Sequence, residues 1–181
     1  LIALDVGGSN ISSLDISTNT ALRDLYLSGL TSISSIDVSN NPALQTLNLA
    51  ETTNITSVDL SNNPNLGNLY LSLSNIESID LRSGNNTNIG AFNAFNALNL
   101  TCVNVDDVAY SVANWTNIPS SSVFAEHCNE TYVPDNNFEA YLEANDMGNG
   151  IANDDYVATA NISSKTFLSL TNQNVSDITG I

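Results

Sequence analysis

The side chains able to do chemistry in this sequence are mostly carboxylates, amides and phenols. Between 146 and 155 runs Asp146-Met-Gly148-Asn149-Gly150-Ile-Ala-Asn153-Asp154-Asp155, which sets oxygen donors among glycines in the manner of a calcium loop. The candidate metal ligands are Asp146, Asn149, Asp154 and Asp155. Met147 stands where an EF-hand places a ligand and no glutamate closes the run, so two readings stand: a bound calcium ion or a polar loop. No cofactor is required by either. A second set, Asp15, Asp37, Asp59 and Asp80, recurs at near-regular intervals. Stacked in neighbouring strands about 4.8 Å apart, such carboxylates would resist full ionisation unless screened or bridged by cations. Plain solvated charge is the other reading. Catalysis has little to build on. His127 is the single histidine and adjoins Cys128, without a nucleophile motif. A row of repeated aspartates also lacks the contrasting environments that glycoside hydrolysis needs. A protein that is not an enzyme is expected.

A third set suits recognition: Arg23, Asp24 and Tyr26, then Gln45 and Asn48, then Asn68 and Tyr70. Tyrosine offers flat apolar area with a polar handle, and the amides and guanidinium offer directed hydrogen bonds. The partner chemistry is a glycan or a protein surface. An ordinary soluble strand face is the competing reading.

These residues must be positioned by a repeat. Ile11-Ser-Ser-Leu14-Asp15-Ile16, Ile33-Ser-Ser-Ile36-Asp37-Val38 and Ile55-Thr-Ser-Val58-Asp59-Leu60 recur with a period of 22 residues. In the same apolar frame lie Leu22-Arg-Asp-Leu25-Tyr26-Leu27, Leu44-Gln-Thr-Leu47-Asn48-Leu49 and Leu66-Gly-Asn-Leu69-Tyr70-Leu71. A degraded copy follows at Ile76-Glu-Ser-Ile79-Asp80-Leu81. Each turn is expected to hold two short strands, with alternate aliphatics inward. One turn alone cannot cover its apolar face, but stacked turns share a continuous core. Asn19, Asn41 and Asn63 close successive turns, and Pro42 and Pro64 follow two of them. An inward asparagine amide there would satisfy backbone groups of adjacent turns, forming a structural ladder. Ordinary turn residues are the alternative.

Composition limits the partners. With 3 Lys+Arg against 19 Asp+Glu the formal net charge is −16, which disfavours nucleic acid and anionic membrane surfaces. No apolar run reaches spanning length, so membrane insertion is not expected. Cys102 and Cys128 are an even pair and read as one disulfide, with two buried thiols as the alternative. Because Leu1 and Ile181 both fall inside repeat pattern, a segment of a larger protein is expected.

The L-x-x-L-x-L spacing in both halves of each turn, with Leu-Asp-Ile-Ser or its equivalent in one, resembles the short, 21–22-residue leucine-rich repeats of secreted Bacteroidetes proteins. The resemblance covers nearly the whole chain. It implies a mainly β fold: a parallel leucine-rich-repeat β-solenoid with two short strands per turn, a disulfide cap and a small helical cap segment. Residues 1–100 would be the solenoid and 101–128 its C-terminal cap, with Tyr110 and Trp115 covering the last turn and a Cys102–Cys128 bridge pinning it. Residues 129–134 would be a linker. Residues 135–181 resemble the N-terminal cap and first repeat of a following array, with Asp135 as N-cap of a helix carrying Phe138, Tyr141 and Leu142 on one face. The implied role is an extracellular binding or adhesion module of a secreted or surface-attached bacterial protein. The alternative is a structural spacer or filament subunit whose copies join end to end.

Overall fold

The computed structural model describes residues 1–181. They form two compact units, Leu1–Cys128 and Asn129–Ile181.

The first unit is a parallel β-solenoid. In chain order its strands are β1 (Ala3–Asp5), β2 (Asp24–Tyr26), β3 (Thr46–Asn48), β4 (Ser57–Asp59), β5 (Asn68–Tyr70), β6 (Ser78–Asp80), β7 (Ala91–Asn93), β8 (Cys102–Asn104) and β9 (Val123–Ala125). β1, β2, β3, β5 and β7 make one parallel sheet, and β4, β6, β8 and β9 a second. Leu4, Leu25, Leu47, Leu69 and Phe92 lie in direct register across the first sheet. Val58, Ile79, Val103 and Phe124 do so across the second. These inward rows merge into one core.

The second sheet is hydrogen-bonded only from Ser57 onward. In the two preceding turns, residues 11–16 and 33–38 hold the corresponding place and bury Ile16, Ile33, Ile36 and Val38 without a backbone ladder. Side-chain packing holds those turns on that side, and the exposed Ser12, Ser13, Ser34 and Ser35 leave the backbone to water.

The asparagines form a ladder. Asn41 Nδ2 donates to the carbonyls of Ile16 (3.1 Å) and Asn19 (2.9 Å), and Asn63 Nδ2 to those of Val38 (3.0 Å) and Asn41 (2.9 Å). Asn19 heads the ladder through its backbone carbonyl. Asn86 is the next buried asparagine, and its amide turns instead to Ser111 Oγ (3.1 Å) in the cap.

The cap continues the solenoid rather than merely covering it, because β8 and β9 extend the second sheet. Between them lies α1 (Val108–Asn114), N-capped by Asp107, whose side chain accepts from Tyr110 N. Cys102 and Cys128 are bridged.

The second unit contains β10 (Glu130–Tyr132), α2 (Asn136–Ala144), β11 (Tyr156–Ala158) and α3 (Thr159–Ser163). Residues 129–134, expected as a linker, instead supply β10, antiparallel to β11. The chain is ordered there because the Tyr132 and Tyr156 rings meet at 5.3 Å and Val133 is fully buried with Phe138, Leu142, Met147 and Val157. Asp135 caps α2 as expected, accepting from Asn137 N (3.0 Å) and Phe138 N (2.9 Å) through Oδ1. Its other oxygen, Oδ2, accepts from Ser176 N (2.8 Å), Ser176 Oγ (2.7 Å) and Asp177 N (3.1 Å), tying the end of the chain to the helix start.

Those bonds, led by the Ser176 hydroxyl and amide, hold the Asp135 carboxyl well below the usual carboxylate range. A depressed folded-state pKa stabilises the fold fully above the unfolded value of about 3.9, and the contribution fades as pH falls through the folded value. Asp135→Ala should therefore lower the denaturation midpoint of the second unit at pH 7, followed through the amide resonances of Phe138 and Val157. Wild type should lose stability below about pH 4 more steeply than the variant. Equal acid sensitivity in the two proteins would remove Asp135 as the tether.

Candidate functional site

The first sheet brings the recognition residues together. Its register aligns Asp24, Thr46 and Asn68 in one outward row, and Tyr26, Asn48, Tyr70 and Asn93 in another. Arg23 and Gln45 stand just before their strands, and their carbonyls carry the ladder: Arg23 O accepts from Gln45 N, and Gln45 O from Gly67 N. Both side chains are exposed, while Asp24, Tyr26, Asn48, Asn68 and Tyr70 are half-buried. All seven residues singled out in the sequence therefore lie on or beside one face. Asn68 Nδ2 donates to Thr46 Oγ1 at 3.3 Å, and Asn48 Oδ1 accepts from Ala50 N at 2.9 Å. Two of the amides are thus partly engaged by the scaffold, and Tyr26 and Tyr70 provide the open contact area.

The structure adds residues to this face that sequence reasoning missed. Asn93 Oδ1 accepts from Ser72 Oγ (2.9 Å), Phe95 N (3.1 Å) and Asn117 Nδ2 (2.7 Å), fixing the end of the row. Leu73 and Phe95 are 52% and 56% exposed, large figures for apolar side chains. They sit together, since Leu73 N donates to Phe95 O at 2.9 Å. Glu51 precedes Leu73 in the same column of the solenoid, with Glu51 N donating to Ser72 O. Both adopt left-handed backbone, at φ 60° and 59°, where Gly29 stands at 71° one turn earlier. That alignment was the available sequence signal: Gly29, Glu51 and Leu73 are 22 residues apart.

The aspartate row has a local structural role: Asp15, Asp37 and Asp59 are exposed to water and Asp80 is half-buried. Asp15, Asp37, Asp59 and Asp80 each accept a hydrogen bond from the backbone N–H two residues on, at 2.9 to 3.0 Å. These are Asx turns that end each aliphatic run. The carboxyls of Asp15 and Asp37 lie below the ordinary aspartate range, first because of the Ser17 and Ser39 hydroxyls and then their amides. Local donors thus favour the ionised form of both. Asp80 is also gripped by Arg82, Nη2 to Oδ2 at 2.6 Å. Arg82 Nη1 reaches the Glu126 carbonyl (3.1 Å) and lies 3.3 Å from His127 Nδ1, which places His127 in a structural polar contact.

The loop at 146–155 is organised by carboxylates from α2. Glu139, buried, accepts from Asp154 N (3.0 Å) and Asp155 N (3.3 Å), while Glu143 accepts from Asn149 N (2.7 Å) and Gly150 N (3.1 Å). A Cβ at Gly148 would fall 1.9 Å from the Glu143 carboxyl, so a larger residue there would displace that side chain from the loop amides. Asn149 Nδ2 donates to Asp154 Oδ2 (3.0 Å), and Asp154 Oδ1 accepts from Tyr156 N (3.0 Å). Amide hydrogens occupy these oxygens, and Asp146 and Asp155 do not join them in a ligand cage. No group of three or more histidine, cysteine, aspartate or glutamate side chains is placed to hold a metal ion.

No family model and no curated protein matches the chain. Among solved structures it is similar to the functional domain of InlJ from Listeria monocytogenes, which includes a cysteine ladder. The identity is 26% and the TM-score 0.50, over 66% of this chain and 24% of that one. Internalin C2 from Listeria monocytogenes also aligns, with 20% identity and a TM-score of 0.40 over 69% of this chain and 64% of that one. The chain thus spans about a quarter of the length of the first of these proteins. What it shares with the InlJ domain is the leucine-rich-repeat β-solenoid fold.

Proposed function

We propose that this chain is a non-catalytic binding module of a secreted or surface-attached bacterial protein, and that the outward face of β2, β3 and β5 holds its ligand, a protein or a glycan. The observation that carries the reading is the register of Tyr26, Asn48, Tyr70 and Asn93, which sets two half-buried phenol rings on a rigid hydrogen-bonded platform. Rigid amphipathic rings lose little entropy on binding and commonly dominate an interface. The Cys102–Cys128 bridge favours an oxidising compartment outside the cytoplasm. The likeness to an internalin domain supports a binding role, and the 22-residue spacing of the repeats resembles the secreted Bacteroidetes type.

Protein and glycan arrays probed with wild type and with the Tyr26→Ala/Tyr70→Ala double variant test the proposal. Loss of two anchor residues should weaken binding by about 2 kcal/mol or more, roughly thirtyfold. Unchanged binding would assign the ligand to another surface.

A further inference from the structure

The charges and rings of this face define its partner more narrowly, given the proposal that the face binds at all. Asp24 shares β2 and its outward face with Tyr26, two residues away. Glu51 follows β3 and is exposed beside the apolar pair Leu73 and Phe95. Neither Asp24 nor Glu51 enters an ion pair within the chain, whereas Arg82, one of only 3 Lys+Arg residues, is committed to Asp80. The two sheets differ in this respect. On the side of the second sheet, including the two turns before it, Asp15, Asp37, Asp59 and Asp80 are each spent on an Asx turn. On the first, Asp5 does that work in β1, serving Gly7 N, and asparagine does it further along, with Asn48 serving Ala50 N and Asn93 serving Phe95 N. Asp24, half-buried, and Glu51, exposed, accept no such local bond and stand near aromatic rings.

Carboxylates next to half-buried phenol rings attract the same thing twice. A lysine or arginine gains Coulomb attraction from the former and cation–π attraction from the latter. Exposed Leu73 and Phe95 add an apolar foothold that a carbohydrate would not fill. We infer that the partner is a protein presenting a basic segment interrupted by aliphatic residues. Its cationic side chains lie over Tyr26 and Tyr70 between Asp24 and Glu51, and its apolar residues cover Leu73 and Phe95.

The test uses the full chain and an array of immobilised 15-residue peptides in basic–aliphatic, neutral and acidic sets, with glycans alongside, at low and at physiological salt. The basic–aliphatic set should bind best. Asp24→Asn/Glu51→Gln should weaken it at least tenfold, and Tyr26→Ala/Tyr70→Ala likewise. A charge-matched control, Asp37→Asn/Asp59→Asn, removes the same two charges from the side of the second sheet and keeps its turns, since asparagine already makes the same turn at Asn48. It should change binding less than twofold. Equal losses in the two charge variants would mean nonspecific attraction to an acidic protein and would overturn the inference. Binding of neutral peptides or glycans that depends on Tyr26 and Tyr70 but not on Asp24 and Glu51 would also overturn it, while leaving the face as the binding site. If no probe class responds to the tyrosine variant, the face itself is wrong.

Discussion

Replacing Trp115 with alanine is expected to cost the first unit about 3–5 kcal/mol, the range for deleting a buried aromatic side chain. The side chain is almost wholly buried and is the keystone of an aromatic cluster. Its ring stacks on Phe92 at 4.8 Å and meets Phe124 and Tyr110 edge-on at 5.6 and 6.2 Å. Phe92 is the last inward residue of the first sheet and Phe124 the last of the second, so Trp115 fastens the ends of both rows. Its Nε1 also donates to the Ile89 carbonyl at 3.1 Å. Trp115→Phe separates the two roles: the stack survives in part, while the Ile89 carbonyl loses its donor, at about 1–3 kcal/mol. Guanidinium unfolding followed by far-UV circular dichroism should rank wild type above Trp115→Phe and that above Trp115→Ala. If the alanine variant unfolds at the wild-type midpoint, the cap does not depend on this cluster.

The repeated part of this fold was legible because identical physics acts at every turn. Leu25, Leu47 and Leu69 recur at constant spacing, and each is buried under the same neighbours. Where the spacing drifts, the reading failed. β7 pairs with β5 in register, yet its central residue is Phe92 rather than leucine and it comes 23 residues after its partner, so periodicity did not mark it. The missed surface residues follow from that gap, since Phe95 and Asn93 belong to the unrecognised turn. The acidic loop was ambiguous for another reason. Sequence composition counts carboxylates but not the amide hydrogens that meet them, and Glu139 and Glu143 lie outside the acidic run that drew attention. The linker reading failed at Tyr132, whose partner Tyr156 lies 24 residues away on a strand without repeat signature.

The face carrying Tyr26 and Tyr70 depends on the turns beneath it staying stacked, and stacking is weakest at an end. In a solenoid each turn touches only its neighbours, so terminal turns fray first unless they are pinned. β1 is the edge strand of the first sheet, and Leu4 is only half-buried. At the other end, α1, Trp115 and β9 all lie within the loop closed by the Cys102–Cys128 bridge, a separation of 26 residues. Closing a loop of that length stabilises by about 3.5 kcal/mol in the chain-entropy account. Cys128 N donates to Asn104 Oδ1 at 2.6 Å, so the bridge also holds the segment after β9 against β8.

Reduction, or the Cys102→Ala/Cys128→Ala variant, is therefore expected to lower stability by about 3–4 kcal/mol. Trp115, the single tryptophan, lies inside the closed loop and reports its loosening by a red-shifted emission. The shift should precede loss of the β signal in a denaturant titration of the reduced protein and coincide with it in the oxidised one. Because the bridge and the aromatic cluster secure the same segment, Trp115→Ala should cost less in the reduced protein than in the oxidised one, a coupling expected between contacts that share one element. Strictly additive costs would show instead that cap and bridge act on separate parts of the array, and the bridge would then have to stabilise something other than the docking of α1 and β9.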